Sequence, residues 1–312
     1  MKPRLVVIGS SNTDMIVLVN HLPRPGETVL GGRFCMAAGG KGANQAVAAA
    51  RAGARVTFVS RVGRDAFGEQ ALAGFRREGL DVRHVHRDRR EPSGTALICV
   101  GGDGQNSIAV APGANARLSR TDVQRARSAI RGAAGVLLQL ETPLATVEAA
   151  AEIASAAGVP VTLNPAPACP LPTSLLRLVS VLTPNETETE TLTGIPLRSD
   201  AAIVDAAGAL LAHGPRIVVI TLGARGAFVA SGSGHEFVPG FRMKVVDSTA
   251  AGDVFNGALT VALAEGQSLG HAVRFANAAA ALSVTRLGAQ PSAPTRASIN
   301  RWLARHPAPR QR

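Results

Sequence analysis

An aspartate at the start of a predicted helix is the residue of this chain best suited to acid–base chemistry. Residues 247–257 read Asp-Ser-Thr-Ala-Ala-Gly-Asp-Val-Phe-Asn-Gly, and an apolar pattern of helical period follows. The predicted helix begins near Asp253, after Ala250, Ala251 and Gly252, whose backbone amides are free to bind an anion. A carboxylate there can take a proton from a hydroxyl while the amides hold the developing negative charge. A purely helix-capping role for Asp253 is the structural alternative.

Polar residues also follow predicted strands. Asn12 and Asp14 come just after the apolar run 5–8, and Glu141 follows the run 136–140. Because α/β sheets bind ligands beyond the carboxyl ends of their strands, these side chains are candidates for hydrogen bonds to a polyol. For Asn12 and Asp14 a turn-forming role is the alternative.

A glycine-rich turn and a second helix start add to this set. Residues 39–44, Gly-Gly-Lys-Gly-Ala-Asn, precede a predicted helix, where Lys41 and Asn44 can reach hydroxyl oxygens and the glycines admit a ligand close to the backbone. Asn185 and Glu188 lie three apart at an apparent helix start and therefore share a face. The structural alternatives are a surface lysine in a turn and acidic residues that complement the helix dipole.

Two common nucleotide-binding patterns do not occur in the sequence. Lys41 is followed by Gly42, and the glycine that a GxxxxGK[ST] loop requires before it is missing. No GxGxxG pattern follows the first predicted strand either. Any nucleotide chemistry in this chain therefore uses another design.

Short apolar runs alternate with helical stretches and predict a doubly wound α/β sheet that would position these residues. The predicted strands are residues 5–8, 56–59, 136–140, 161–163, 181–183 and 217–221. The predicted helices are residues 43–52, 66–78, 146–157 and 201–213. Segments 14–34 and 94–110 contain strand-like runs (15–19, 28–34, 95–100 and 107–110) without helices, which predicts a small antiparallel sheet over one edge of the main sheet. We expect one domain over residues 1–306 and a disordered tail at 307–312.

Five segments, in this order along the chain, resemble the ribokinase (pfkB-type) family of carbohydrate kinases. They are residues 9–14, 39–44, 183–188, 221–226 and 247–257. The likeness extends from about residue 4 to about residue 304. Residues 164–168, Asn-Pro-Ala-Pro-Ala, and 288–292, Gly-Ala-Gln-Pro-Ser, also match the ribokinase branch of that family.

The resemblance implies a three-layer αβα sandwich with a mostly parallel central sheet and a small β lid, which often pairs with the lid of a second subunit. It implies ATP-dependent phosphorylation of D-ribose at O5, giving D-ribose 5-phosphate and ADP. The same chemistry on deoxyribose, another sugar or a nucleoside stays open. A non-catalytic sugar or nucleotide sensor is the alternative from another class, although a sensor needs no general base.

By analogy with the family, Asp253 is the base and the amides of Ala250, Ala251 and Gly252 form the anion hole. The residues implied to contact the sugar are Asn12, Asp14, Gly40, Lys41, Asn44, Glu141 and Asp253. Those implied for ATP and its Mg²⁺ are Asn185, Glu188, Thr221, Gly223, Ala224, Arg225, Gly226, Gly252 and Asn277. Those implied for an activating monovalent cation, K⁺, are Asp247, Thr249, Ser283, Arg286, Gly288 and Ser292. The chain departs from the commoner family pattern at Ser248 and Ala250, and at Asn277, where histidine is frequent.

Composition is typical of a folded chain without a membrane segment. Of the 312 residues, 46% are hydrophobic and 18% are charged. Cys35, Cys99 and Cys169 have no metal-type spacing and form no disulfide framework, which indicates a reducing compartment. The first apolar run is too short for a signal peptide, and no stretch is long enough to span a membrane. We therefore expect a cytoplasmic protein.

The chain is strongly basic, with a net charge of +11 and a pI near 11.2. Basic residues cluster at 83–90 and in the last twelve positions. Neither cluster contains interleaved aromatic residues or a nucleic-acid-binding motif. We therefore expect a solvated basic surface and no nucleic-acid partner.

Overall fold

Apolar residues alternate between the two faces of strand β1 (Arg4–Ile8), and this alternation determines the layers. Leu5 and Val7 belong to one buried apolar cluster, whereas Val6 and Ile8 belong to another. A strand that is buried on both faces needs helices on both faces of its sheet. The computed structural model, which describes residues 2–307, has this arrangement.

Two sheets contain the strands of the described residues. The remaining strands are β2 (Asn12–Leu18), β3 (Arg33–Gly39), β4 (Arg55–Gly63), β5 (Asp81–Asp88), β6 (Gly94–Val100), β7 (Asn106–Ala111), β8 (Gly135–Leu138), β9 (Val161–Leu163), β10 (Val181–Leu182), β11 (Ile217–Thr221), β12 (Gly226–Ser231) and β13 (Gly234–Pro239). The main sheet has the order β13-β12-β11-β10-β9-β8-β1-β4-β5, and only β12 and β13 run antiparallel to their neighbours. The second sheet has the order β3-β2-β6-β7.

Helices cover both faces of the main sheet. They are α1 (Lys41–Ala52), α2 (Ala66–Arg77), α3 (Arg120–Arg125), α4 (Arg127–Arg131), α5 (Leu144–Ala156), α6 (Thr173–Leu176), α7 (Glu186–Thr193), α8 (Asp200–Ala212), α9 (Ala251–Ala264), α10 (Leu269–Ser283), α11 (Ala289–Ser292) and α12 (Arg296–Arg305). Residues of α1, α2, α9, α10 and α12 pack in the first cluster, and residues of α3, α4, α5, α6 and α8 pack in the second. The predicted three-layer αβα architecture is confirmed.

The order of the sheet reverses between β1 and β8. The chain passes from β1 through α1 to β4 on one side, and later returns to add β8 on the other side of β1. Such a reversal opens a crevice beyond the carboxyl ends of the two strands, where α/β sheets bind ligands. Asn12 follows β1, and Glu141 follows β8.

The small sheet differs in two respects from its prediction. Strands β2 and β6 pair in parallel, so the sheet is mixed rather than wholly antiparallel. The strand predicted at residues 28–34 lies instead at Arg33–Gly39, where it pairs with β2. The first lid segment therefore extends to Gly39 instead of ending at residue 34.

Strands β5, β12 and β13 were not anticipated from the sequence, and the basic cluster at 83–90 falls largely on β5 at the sheet edge. Of the predicted tail, residues 308–312 lie outside the described residues. No helix within residues 2–307 is both long and apolar enough to cross a membrane.

Candidate active site

Close packing of α1 against α9 brings the central polar residues together. A Cβ at Gly257 would lie 2.8 Å from the Cβ of Ala48, so only glycine allows the two helices to approach this closely. The buried carboxylate of Asp253 accepts hydrogen bonds from Asn44 Nδ2 at 2.9 Å and from Gln45 Nε2 at 2.9 Å. Each oxygen of the candidate base is therefore held by one amide of α1.

The pKa of Asp253 is raised. Burial is the largest cause, and it outweighs the nearby charge of Lys41 and the bonds from Asn44 and Gln45, which favour the carboxylate. A raised pKa makes a carboxylate a stronger base, as long as neighbouring groups keep it ionised at working pH. The balance between burial and Lys41 therefore determines the strength of this base.

A strained turn precedes Asp253. Ala250 has φ 59° and ψ 14°, the left-handed region, and it is the only residue other than glycine with positive φ in the described chain. An alanine in this conformation costs about 1 kcal/mol, and such strain is concentrated at functional sites. Ala250, Ala251 and Gly252 line a polar cavity, although the amide of Ala251 already donates to the carbonyl of Ser248 at 3.2 Å. Among the three predicted anion-hole donors, those of Ala250 and Gly252 are the ones without such an internal acceptor in the described residues.

A second polar group joins β1, the start of α1 and the end of β8. Ser10 Oγ donates to Glu141 Oε2 at 2.5 Å, and the amide of Lys41 donates to the same oxygen at 3.0 Å. The amide of Gly42 donates to Ser10 Oγ at 3.2 Å, and its Cα packs directly on the backbone of Gly9. Glu141 therefore holds the glycine-rich turn in place beside the sheet crevice.

Lys41 supplies positive charge among several carboxylates. Burial lowers the pKa of Lys41, but the carboxylates of Asp253, Glu141 and Glu188 outweigh it, and the net result is a raised pKa. Lys41 thus stays a cation at the centre of the acidic cluster and offsets the mutual repulsion of these groups.

Asn12 and Asp14 lie side by side on β2 but in different states. Asn12 is buried, and its Oδ1 accepts a hydrogen bond from Asn115 Nδ2 at 2.7 Å. The carboxylate of Asp14 has no hydrogen-bond donor among the described residues. Burial, followed by the charges of Glu141 and Asp253, raises its pKa to about 6. Asp14 is therefore an acceptor that is ready for an incoming donor.

A polar cavity of about 200 Å³ joins the candidate base to the start of α7. It is lined by Lys41, Asp253 and the strained turn on one side and by Asn185 and Glu188 on the other. Asn185 and Glu188 form a capping box, in which Asn185 Oδ1 accepts from the amide of Glu188 at 2.7 Å and Glu188 Oε2 accepts from the amide of Asn185 at 2.9 Å. The expected shared face is present, and burial raises the pKa of Glu188.

A cavity of about 270 Å³ with a mainly apolar wall begins where the polar one ends. Of the residues predicted for the nucleotide, it is lined by Thr221, Gly223, Ala224, Gly226, Gly252 and Asn277. Asn277 Nδ2 donates to the carbonyls of Val238 and Pro239, so its side chain fixes one wall of the cavity. Arg225 lines neither cavity, because its Nη1 pairs with Asp200 Oδ1 at 3.0 Å on the surface.

Of the residues predicted for a monovalent cation, Asp247 and Thr249 lie on the loop before α9, and Arg286 and Gly288 lie on the loop between α10 and α11; Asp247 joins these two loops. Asp247 Oδ1 accepts from the amide of Thr249 at 2.8 Å, and Oδ2 accepts from the amide of Gly288 at 2.8 Å. The hydroxyls of Ser283 and Ser292 donate hydrogen bonds to backbone carbonyls of their own helices, α10 and α11. The side chain of Arg286 has no polar partner in the described residues. The structure therefore brings the two loops together through backbone amides and one carboxylate.

Three functional-looking residues were missed by the sequence analysis. Gln45 is wholly buried, and it also donates to Asn164 Oδ1 and accepts from Gln139 Nε2. Asn115 binds both backbone polar groups of Ser11, and Ser10 holds Glu141. Gln45 lies directly after the motif that was recognised, which was an available signal; Asn115 is distant in sequence and offered none.

Known proteins resemble the chain over nearly its whole length. The family model described as pfkB family carbohydrate kinase matches residues 2–296. A ribokinase of Haemophilus influenzae is 46% identical over 97% of this chain and 99% of its own length. A deoxyribokinase of Salmonella typhimurium is 36% identical over 96% of this chain and 98% of its own length.

Among solved structures, an Arabidopsis thaliana ribokinase complexed with ribose and ATP superposes with a TM-score of 0.90 at 37% identity. The match covers 97% of this chain and 99% of the plant chain. Family model, relatives and fold agree with the ordered motifs and with the crevice between β1 and β8. The chain belongs to the pfkB family of carbohydrate kinases.

Proposed function

We propose that this protein transfers the γ-phosphoryl group of ATP to O5 of D-ribose, giving D-ribose 5-phosphate and ADP. The observation that carries the proposal is the carboxylate of Asp253, buried at the start of α9 beside a turn that lines the polar cavity, and held by Asn44 and Gln45. The ribokinase relatives, one of which was solved with ribose and ATP, support this choice of substrates.

The proposed mechanism assigns one role to each part of the site. Asp253 takes the proton from O5 as that oxygen attacks the γ-phosphorus, and the bond from the γ-phosphorus to the β–γ bridging oxygen breaks to release ADP. The amides of Ala250 and Gly252 hold charge that develops on the phosphoryl oxygens. The sugar lies among the hydrogen-bonding groups of β2, α1 and Glu141.

Mg²⁺ fits the boundary between the two cavities. Glu188 lines the polar cavity, and oxygen ligands of this type suit Mg²⁺, which commonly binds through few carboxylates, substrate phosphates and waters. No cluster of three or more His, Cys, Asp or Glu side chains arranged for a metal occurs within residues 2–307. We therefore propose that Asn185 and Glu188 orient Mg²⁺ and its waters, and that the phosphates supply the other ligands.

The substrate assignment is tested by ADP release from MgATP with a panel of free sugars and nucleosides. Fast turnover with D-ribose and much slower turnover with 2-deoxyribose and hexoses supports the proposal. Faster turnover with 2-deoxyribose favours the second candidate, which the similarity to a deoxyribokinase supports. No turnover in folded protein would instead support a sensor.

Replacing Asp14 is expected to weaken sugar binding while stabilising the free protein. Asp14→Asn removes a charged acceptor and should raise the KM for D-ribose about 10- to 100-fold. Because the folded-state pKa of Asp14, about 6, lies above its ordinary value of 3.8, the folded chain binds this proton more tightly, and stability falls as pH rises from about 4 to about 6. The free energy of unfolding of Asp14→Asn should therefore exceed that of the wild type by roughly 2–3 kcal/mol above pH 6 and should equal it below pH 4.

Thermal unfolding and sugar kinetics across pH check this expectation. Asp103→Asn, on the exposed β6–β7 loop, is the matched control and should change neither quantity. An unchanged KM for D-ribose in Asp14→Asn would remove Asp14 from the sugar site.

The single tryptophan offers a probe of nucleotide binding. Phe241 lines the 270 Å³ cavity, and the ring of Trp302 lies against it edge-on, with centroids 6.2 Å apart. The chain contains no tyrosine, so its emission reports Trp302 alone. ADP should change this emission and D-ribose alone should change it far less. Phe241→Leu should reduce the change in emission that ADP causes. An unchanged spectrum at saturating ADP would place the adenine of the nucleotide outside this cavity.

We propose that K⁺ activates the enzyme at the two loops joined by Asp247. Arg51 supports α11, which follows the second loop, since its Nη1 donates to the carbonyls of Gln290, Pro291 and Ala293. Turnover should fall at least tenfold when K⁺ is replaced by tetramethylammonium, and Asp247→Asn should weaken the K⁺ response. Equal activity in both salts would contradict this proposal.

Homodimerisation through the small sheet is also proposed. Phe34, Met36 and Leu97 lie on the same face of that sheet in its strand register and are each between 43% and 57% exposed, and exposed apolar patches commonly mark interfaces. Sedimentation analysis of the wild type and of Leu97→Lys tests the assignment. A cytoplasmic location, where ATP is available, stays a prediction.

A further inference from the structure

A third cavity opens at the amino-terminal edge of the main sheet, at the opposite ends of the strands from the candidate active site. Its volume is about 780 Å³, and it lies between the starts of β1 and β4, the end of α1 and the end of α4. No residue of the sugar, nucleotide or cation sets borders it. The cavity is therefore separate from the chemistry described above.

Unpaired positive charge is concentrated on this cavity. Arg4 and Arg55 are direct neighbours in the register of β1 and β4, and both side chains are exposed and line the cavity together with Lys2. None of the three side chains has a carboxylate partner within residues 2–307. Like charges directly opposite each other on neighbouring strands are destabilising. The fold thus carries an unfavourable pair at this position that an anion would relieve.

The acidic side chains on the cavity are already neutralised. Asp81 pairs with Arg83 at 2.8 Å, and Glu78 forms a two-point ion pair with Arg51, at 2.8 Å from Nε and 2.6 Å from Nη2. Neither carboxylate is therefore free to pair with Lys2, Arg4 or Arg55. A ligand that enters the cavity meets three uncompensated cations.

We propose that this cavity binds a small polyanion that carries two or more phosphate groups. Three cations require several negative charges, and the volume greatly exceeds what one phosphate fills. Among the residues that line the cavity, His84 carries the one aromatic ring, and there is no Phe or Trp on which bases could stack, although such stacking is the usual partner of basic residues in single-stranded nucleic-acid sites. These features favour a compact free polyphosphate over a nucleic acid.

Calorimetric titration with inorganic tripolyphosphate tests the proposal. The buffer is free of divalent metal, has constant ionic strength and contains saturating ADP, so that the nucleotide cavity is blocked. The wild type should bind tripolyphosphate under these conditions and should gain melting temperature with it. The double variant Arg4→Gln/Arg55→Gln should bind at least tenfold more weakly, and Lys2→Gln should show a smaller loss.

The control Arg177→Gln/Arg198→Gln changes the net charge equally at exposed positions away from the cavity, and should bind like the wild type. Without ligand, Arg4→Gln/Arg55→Gln should melt no lower than the wild type, because the substitution removes a like-charge contact. Equal affinity in this variant and the wild type overturns the proposal. Loss of all tripolyphosphate binding in the presence of ADP also overturns it. The same holds if Arg4→Gln/Arg55→Gln weakens the binding of single-stranded RNA but not that of tripolyphosphate.

Discussion

Asp253→Asn is expected to lower kcat for D-ribose phosphorylation by about 10³-fold, with a KM for D-ribose within a few-fold of the wild type. General-base catalysis contributes about 10²- to 10⁴-fold, and an amide cannot accept the proton. The sugar would keep its contacts with the other polar groups of the crevice. Steady-state ADP release at several ribose concentrations separates the two parameters.

The structure indicates that this variant folds. Asn44 Oδ1 is buried without a hydrogen-bond partner, so the amide of Asn44 can reverse and accept from the new side chain, while Gln45 keeps its acceptor. The change also removes a buried charge, and the thermal unfolding temperature should not fall. Asp205→Asn on the exposed face of α8 is the control. A kcat within tenfold of wild type would show that Asp253 is not the base.

The central layers of the fold were predictable because their signal is local. The runs at 161–163 and 217–221 became strands β9 and β11 with the same bounds, and the run at 5–8 became β1, which begins one residue earlier, since strands buried on both faces are continuously apolar. The helices that begin near Lys41 and Asp253 were predicted within two residues for a similar reason, namely small residues followed by helical apolar periodicity.

The small sheet was less predictable because burial hardly shapes its sequence. Most residues of β3 are exposed, so its sequence shows no alternation of apolar and polar residues. The β-branched pair Thr28-Val29 has a strand-like composition but belongs to no strand in the structure. Pairing with β2 determines the position of β3, and the sequence of one segment alone does not reveal which strand it pairs with. Strand β5 was not predicted because its arginines and histidines interrupt the apolar pattern expected of a strand.

Within the site, sequence order showed which residues belong together but not how they are held. Asn185 and Glu188 were predicted to share a face, and the structure adds that each caps the other. Gln45 and Asn115 act through contacts with residues more than 90 positions away, so only the fold reveals them. The opposed pair Arg4 and Arg55 is invisible for the same reason.

Lys41→Met is expected to reduce kcat at neutral pH about 100-fold or more and to move the acid limb of the pH–rate profile upward by about one unit or more. The charge of Lys41 lowers the pKa of Asp253, against the effect of burial. Without that charge the pKa of Asp253 rises further, so a higher pH is needed before the base is ionised. The profile therefore separates an electrostatic role of Lys41 from simple contact with the sugar.

The same substitution should also destabilise the protein in a pH-dependent way. The carboxylates of Asp253, Glu141 and Glu188 would remain close together without their cation, and removing one partner of such a buried set costs about 3 kcal/mol. Protonation relieves that repulsion, so Lys41→Met should lose less stability at pH 5 than at pH 8. Lys41→Arg keeps the charge and should restore both the acid limb and the melting temperature, even if its larger head leaves kcat low. An acid limb that stays at the wild-type pH in Lys41→Met would mean that the ionisation of Asp253 does not depend on Lys41.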